Sequence, residues 1–487
     1  MSEQNLPLSQ GGAAPSTLPS TPEAESASTA HLRPHHVLLL GLLSMLGPLA
    51  NDMYVPALPA LSHDLGATTA QTQITLSAFI LGFALGQVIV GPISDALGRK
   101  RPLVFGVALY TLASLLSVLV PSVELLTVLR LLQGLSASVG AVLGLAMVSD
   151  LATGLRRARL FSLLVQILNI APMVAPVIGG QLLRFGSWHV IFVALTLAGL
   201  GLLVASAWGL SESLPVDRRQ AGGLRATGRV LRGLLRERRF VGYALSSGFA
   251  FTAGIIYISL APFVLQMSFG LSAQRVSLTF GLNSLGMVLI GLVNTRLVGH
   301  VSSERLLLWG YALLVFGGLG LLVSVLSGFG LVGILPAVFV LIASLGLIQP
   351  NATTLALADT QAAGSAAALL GLLQLALGAV VAPLVGLVGT TSPLPMTVGI
   401  AVAALVALAT LVLLTGPGHS NTQEAEHEQH HAVSSAVKER FLGTGGRAER
   451  VSVLPGEGDG EGMPMRNTKA ATTASPANDG TEGRSQV

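Results

Sequence analysis

Residues 306–358 read LLLWGYALLVFGGLGLLVSVLSGFGLVGILPAVFVLIASLGLIQPNATTLALA, and residues 360–415 read TQAAGSAAALLGLLQLALGAVVAPLVGLVGTTSPLPMTVGIAVAALVALATLVLLT; neither stretch holds an Asp, Glu, Lys or Arg. A bilayer-spanning helix needs about 20 mostly apolar residues, so each stretch is long enough for two. Ser327-Gly328-Phe329-Gly330 breaks the first, and Thr390-Thr391-Ser392-Pro393 breaks the second, because these residue types favour turns. Working back toward the N-terminus, the same criterion predicts spans at 241–267, 277–298 and 306–326, ahead of 331–357, 364–388 and 395–415. It also predicts spans at 37–57, 73–93, 102–121, 125–148, 160–183 and 190–210. The expected fold is an all-α membrane protein with twelve transmembrane helices.

The composition agrees. Of 487 residues, 51% are hydrophobic and only 10% are Asp, Glu, Lys or Arg, against about a quarter charged in a soluble domain. A water-facing surface of this composition would aggregate, so lipid is the solvent for most of the chain. That excludes a soluble enzyme, a nucleic-acid binder and a disulfide scaffold; Cys is absent. The net charge of +4 is too small to argue for an anionic partner. No Gly-rich phosphate loop supports ATP coupling, and no cofactor is expected. His419, His427, His430 and His431 sit in a polar tail and read as solvated rather than as metal ligands.

The placement of charge gives the organisation. Residues 1–34 and 416–487 are polar and read as disordered cytoplasmic tails. The basic segment 212–239, with Arg218, Arg219, Arg225, Arg229, Arg232, Arg236, Arg238 and Arg239, divides the spans into halves 35–211 and 240–415. It reads first as a solvated linker, and second as a basic stripe on the inner leaflet. One set of loops carries Arg99, Lys100, Arg101, Arg156, Arg157, Arg159, Arg296 and Arg305; the other carries only Arg184 and Arg275. The positive-inside rule puts the first set, and both termini, in the cytoplasm. Two halves of six spans suggest internal duplication, a layout that transporters commonly use with a site at the interface.

Ionisable residues inside the spans are few. Asp52 is the only acidic residue well inside a predicted span, in Asn51-Asp52-Met53-Tyr54-Val55-Pro56. Arg130 lies in the fourth span, in Arg130-Leu-Leu-Gln133-Gly134. An intramembrane Arg costs about 3 kcal/mol at the centre and marks a functional position by default. Asp52 and Arg130 fall at similar depth from the same side, and a carboxyl balanced between burial and a nearby cation can exchange a proton. A permanent structural ion pair is the alternative. Gly91-Pro92-Ile93-Ser94-Asp95-Ala96-Leu97-Gly98-Arg99-Lys100 is a turn in which Gly98 allows a tight reversal and Asp95 can pair with Arg99 and Lys100. Pro172, Pro176, Gly179 and Gly180 soften the fifth span and let a neighbour come close.

The 91–100 loop resembles the signature loop of the major facilitator superfamily, and Arg130-Leu-Leu-Gln133-Gly134 resembles its fourth-span motif. The fifth-span element resembles that of the superfamily's exporters, with Ala175 in place of the first Gly. Asp52-Met53-Tyr54-Val55-Pro56-Ala57-Leu58-Pro59, Pro262-Phe263-Val264-Leu265-Gln266, Pro350-Asn351-Ala352 and Ala367-Ala368-Leu369-Leu370-Gly371-Leu372-Leu373-Gln374 are similar to the Bcr/CflA group of drug-resistance transporters. The resemblance implies proton-driven efflux of small amphipathic compounds by alternating access, with Asp52 and Arg130 in proton coupling. It implies gating by Gly91, Asp95, Gly98, Arg99 and Lys100, and a substrate cavity lined by Asn51, Tyr54, Gln133, Tyr257, Gln349 and Asn351. The expected partners are a small molecule, protons and the bilayer, with the chain acting as a monomer. A transporter of a specific sugar, amino acid or short peptide is the alternative within transport; a sensor or a membrane enzyme lies outside it.

Overall fold

A computed structural model of the chain describes residues 34–219, 228, 231–358, 360, 363–389 and 392–415. Residues 1–33 and 416–487 of the expected tails with their histidines, Arg225 and Arg229 of the linker, and Thr390 and Thr391 of the expected break lie outside the described residues, while Pro34, expected in the tail, opens the first helix. Among the described residues, twelve helices are long and apolar enough to cross a membrane. They are α1 Pro34–Asp52, α2 Thr69–Leu97, α3 Lys100–Val118, α4 Val123–Leu151, α5 Gly154–Leu182 and α6 His189–Gly209. The second six are α7 Arg238–Phe263, α8 Ala273–Leu297, α9 Ser303–Leu326, α10 Gly330–Leu357, α11 Ala363–Leu387 and α12 Leu394–Thr415.

Polar N-caps start α2, α4, α8 and α9 before their predicted spans. Thr68 Oγ1 accepts from Gln71 N at 3.2 Å, while Gln71 Oε1 accepts from Thr68 N at 2.9 Å, which starts α2 at Thr69. Ser272 Oγ accepts from Arg275 N at 3.4 Å and starts α8 in the same way.

The first span departs from the expected single helix over 37–57. α1 stops at Asp52, a 3-10 turn follows over Val55–Ala57, and a short helix runs over Leu58–Asp64. Pro56 and Pro59 cause the break, because each removes a backbone donor from the next turn. α7 ends in the corresponding way, with Pro262 followed by a π-helical turn over Val264–Ser268.

The packing pattern repeats with an offset of six helices. α1 packs on α4, α5 and α6 as α7 packs on α10, α11 and α12. α2 packs on α4 as α8 packs on α10, and α3 on α6 as α9 on α12. The halves meet through α2 with α11 and through α5 with α8, two contacts that the same offset interchanges. Within a half the approach is close. A Cβ on Gly82 would collide with the Leu131 carbonyl, and one on Gly134 with the Phe79 carbonyl, so α2 and α4 pack backbone to backbone.

Candidate functional site

The break in the first span creates the central polar site. Ala50 lies in the last turn of α1, where carbonyls run out of helical donors. Arg130 Nη1 donates to Ala50 O at 3.1 Å and to Gln133 Oε1 at 2.7 Å. The Arg130 guanidinium is fully buried, with its carbon 4.6 Å from the Tyr54 ring centre and 4.3 Å from that of Phe79. Aromatic faces of this kind stabilise a desolvated cation. Asp52, two residues beyond Ala50, is half-buried and accepts from Asn51 Nδ2 at 2.9 Å. Asp52 and Arg130 thus share one helix end without a contact ion pair between them among the described residues. Nε and Nη2 of Arg130 have no hydrogen-bond partner among the described residues.

The six cavity candidates divide by what their polar atoms already do. Gln133 has both ends engaged, accepting from Arg130 and donating from Nε2 to Ser114 Oγ at 2.7 Å. The Tyr54 hydroxyl pairs with Thr75 Oγ1 at 2.8 Å, and Tyr257 OH accepts from Asn283 Nδ2 at 2.9 Å. Asn351 Nδ2 donates to Asn294 Oδ1 at 2.7 Å and to Leu347 O at 2.8 Å, which ties α10 to α8. Among the described residues, the buried candidate atoms Asn51 Oδ1 and Gln349 Nε2 have no hydrogen-bond partner.

The fifth-span element lies where α5 meets α1 and α8. A Cβ on Gly179 would strike the Met53 carbonyl, and one on Gly180 would strike Ser277 Oγ. Pro176 has no N–H, so the Pro172 carbonyl four residues back loses its helical donor. Ser284 Oγ of α8 replaces it, donating to Pro172 O at 3.1 Å. Gln274 Nε2 donates to Gly180 O at 3.2 Å, and Gln266 Nε2 to Pro56 O at 3.1 Å. These three bonds join the halves at the end opposite the 98–101 loop.

At the 98–101 end the chain builds a charge cluster. Arg99 Nη1 donates to Asp95 Oδ1 and to Ser94 Oγ, each at 2.6 Å, and Arg99 Nε donates to Asp150 Oδ2 at 3.0 Å. Gly98 has φ 91°, a left-handed conformation that favours glycine. Burial works against the Arg99 charge, but Asp150 and Asp95 outweigh it and hold the guanidinium above its ordinary pKa.

Sequence reasoning missed the second half of the cluster. Glu212, in the segment after α6, caps α3: its Oε1 accepts from Arg99 N at 2.7 Å and its Oε2 from Lys100 N at 3.2 Å. Ser213 Oγ donates to Asp150 Oδ2 at 3.0 Å, and Arg219 Nη2 lies 3.8 Å from Glu212 Oε2. The available signal was a lone acid in Ser211-Glu212-Ser213-Leu214-Pro215 with Arg218 and Arg219 just beyond it. Among the described residues, every partner in the cluster belongs to the first six helices or the segment that follows them. Beside it lies a cavity of about 750 Å³, walled by Ser44, Gln87, Gly91, Asp95 and Arg99 on one side and by Ser365, Ala367 and Ala368 of α11 on the other.

The sequence matches the family model of the Major Facilitator Superfamily over residues 40–383. The chain belongs to that superfamily. Among its relatives, the "Uncharacterized MFS-type transporter YdgK" of Bacillus subtilis (strain 168) is 39% identical over 73% of this chain and 89% of that protein. The "Bicyclomycin resistance protein homolog" of Haemophilus influenzae is 30% identical over 74% of this chain and 92% of that protein. Such relatives fit the resemblance to Bcr/CflA-like transporters. A crystal structure of a D-xylose-proton symporter shares the fold with a TM-score of 0.64 at 15% identity, covering 78% of this chain and 97% of that one. The superfamily member described here is a multi-pass membrane transporter, not an enzyme.

Proposed function

We propose that this transporter exports drugs or other small amphipathic compounds in exchange for protons, as a monomer without a cofactor, from the inner or plasma membrane with both termini in the cytoplasm. The observation that carries the reading is Asp52 at the broken end of α1, beside the buried Arg130 but not clamped to it. A permanently paired carboxylate has no reason to change protonation. One opposed by the negative end of a helix and favoured by a nearby cation holds its proton according to local geometry. The relative named for bicyclomycin resistance supports export of small compounds.

Alternating access would run between two arrangements of the halves. Here the three side-chain-to-carbonyl bonds join them at one end, and the cavity separates them at the other. In the opposite arrangement those bonds break and Gly91 closes on α11. The Asp95–Arg99–Asp150 cluster holds the loop in shape through both.

The test uses the full chain in proteoliposomes with an imposed pH gradient, following labelled chloramphenicol and tetraphenylphosphonium. Asp52→Asn is expected to abolish gradient-driven accumulation while leaving substrate counterflow intact. Undiminished gradient-driven accumulation in that variant would overturn the assignment.

A further inference from the structure

Ser247 on α7, Gln349 on α10 and Gln374 on α11 meet in one hydrogen-bonded group. Gln374 Nε2 donates to Ser247 Oγ at 3.0 Å and to Gln349 Oε1 at 3.1 Å. Ser247 is fully buried, and its hydroxyl donates to Tyr243 O at 2.7 Å, which fixes its orientation. The Gln349 amide oxygen is therefore engaged, while its Nε2 is buried with no acceptor among the described residues. A buried amide N–H without an acceptor is costly, so a donor kept this way is a site for an incoming acceptor.

The group lies at the depth the cavity reaches. Ser247 is nine residues from the start of α7, Gln349 eight from the end of α10, and Gln374 eleven from the start of α11. At 1.5 Å per residue these are about 14, 12 and 17 Å from the end that carries the 98–101 loop. Gln87 and Ser44, on the facing cavity wall, are each ten residues from that end of their own helices, or about 15 Å. The Gln87 amide oxygen reaches the α11 backbone: a Cβ on Gly371 would stand 3.2 Å from it. Gly371 is one helical turn from Gln374.

We propose that Ser247, Gln349 and Gln374, which do not wall the cavity in this arrangement, form a neutral hydrogen-bonding subsite at the depth of Ser44 and Gln87 on its wall. It takes the carbonyl or hydroxyl oxygen of uncharged polar compounds, while Val142 and Leu145 on the cavity wall cover their apolar parts. The group contains no charged side chain, and its buried unpaired atom, Gln349 Nε2, is a donor. A cation has no acceptor to offer it, so the subsite favours neutral guests over lipophilic cations. The proposal rests on the reading of this chain as an exporter of small compounds.

The experiment measures binding of labelled chloramphenicol, which is neutral with amide and hydroxyl oxygens, and of tetraphenylphosphonium, a cation without them, to the full chain in nanodiscs. Gln349→Met is expected to raise the chloramphenicol Kd about tenfold, the worth of one hydrogen bond, and to leave the tetraphenylphosphonium Kd unchanged. Gln349→Asn keeps an amide one methylene short, disturbs the fold least, and should show the same selective loss. Equal losses for both compounds, no loss for either, or no chloramphenicol binding by the wild type would overturn the subsite. pH-gradient-driven transport of tetraphenylphosphonium by the same variants separates the two claims. Transport that persists with chloramphenicol affinity unchanged sinks the subsite alone; a wild type that moves neither compound sinks the exporter reading as well.

Discussion

Replacing Glu212 with Gln probes how the segment after α6 holds the 98–101 loop. Glu212 Oε1 accepts from the N–H groups of Arg99 at 2.7 Å and of Ser213 and Leu214 at 3.1 Å each; Oε2 faces Lys100 N at 3.2 Å and Arg219. Glutamine keeps one acceptor oxygen but turns an NH2 toward Lys100 N and Arg219, donor against donor. The lost charge-assisted bond is worth about 1.5–3 kcal/mol, and the lost charge at the start of α3 about 0.3–1 kcal/mol. The side chain is 29% exposed, so water replaces part of this and a net cost of about 1–2 kcal/mol is expected. That shifts local opening by a factor of about 5–30. Hydrogen exchange followed by mass spectrometry reads it: at neutral pH the peptide over 98–104 should exchange faster by that factor, while peptides from α9 stay unchanged. The pH dependence gives a second readout. Burial alone would raise the Glu212 carboxyl, but the N–H groups of Arg99, Leu214 and Lys100 and the Arg219 charge hold it below its ordinary value. Its stabilisation is therefore complete above the ordinary Glu value of about 4.3 and is lost as pH falls through the lower folded value. Wild-type protection, corrected for intrinsic exchange, should fall in that acid range, and Glu212→Gln should lack that decline. Unaltered exchange over 98–104, or an acid decline that survives in the variant, would refute the capping role.

Three further substitutions test the packing. Gly82→Leu drives a side chain into the backbone of α4 at Leu131 and should cost about 3 kcal/mol or more, read as loss of the monodisperse peak in size-exclusion chromatography. Gly91 is the counterexample: a Cβ there meets nothing within 4 Å, so Gly91→Leu should leave Tm unchanged yet slow transport, because the leucine would fill the cavity that has to close; unimpaired transport would count against that closure. Ser284→Ala removes the donor to the Pro172 carbonyl, an interhelical bond worth about 0.6 kcal/mol, and should lower Tm by about 1 °C; a fall beyond about 5 °C would show that Ser284 does more than fill a lost helical bond.

The spans were legible because lipid leaves hydropathy as the dominant signal, and the charge-free runs at 306–358 and 360–415 admit no other reading. Their ends were less legible, since a cap such as Thr68 with Gln71 is polar and falls outside an apolar window. The break after Asp52 was marked only by Pro56 and Pro59, and hydropathy does not register a missing backbone donor. Depth alone put Asp52 and Arg130 near one another, but it gave no sign that Arg130 would donate to the Ala50 carbonyl that the break exposes, as well as to Gln133. Glu212 escaped for a different reason. Its partner Arg99 is 113 residues away, and one acid in a polar connection carries no periodicity. Gln374 was visible as an amide in an apolar span, but its partners come from two other helices and only the fold brings them together.

The distribution of strong and weak contacts says where this molecule can yield. Within the first half, α2 and α4 touch backbone to backbone at Gly82 and Gly134, and Arg99 binds two carboxylates while Glu212 caps α3. Separating those elements would give up close interhelical packing and charge-assisted hydrogen bonds. Between the halves, at the end away from the charge cluster, the polar contacts among the described residues are single neutral bonds from Gln266, Gln274 and Ser284 to main-chain carbonyls. Bonds of this kind average about 0.6 kcal/mol in a membrane protein, a few times less than a charge-assisted bond. The Pro172 carbonyl is available to Ser284 only because Pro176 withdrew its helical donor, so the prolines that loosen α5 also supply an acceptor for the opposite half. A motion that breaks the weak set and keeps the strong set moves each half as a body and leaves Asp52, at the broken end of α1, in the region where the two bodies part.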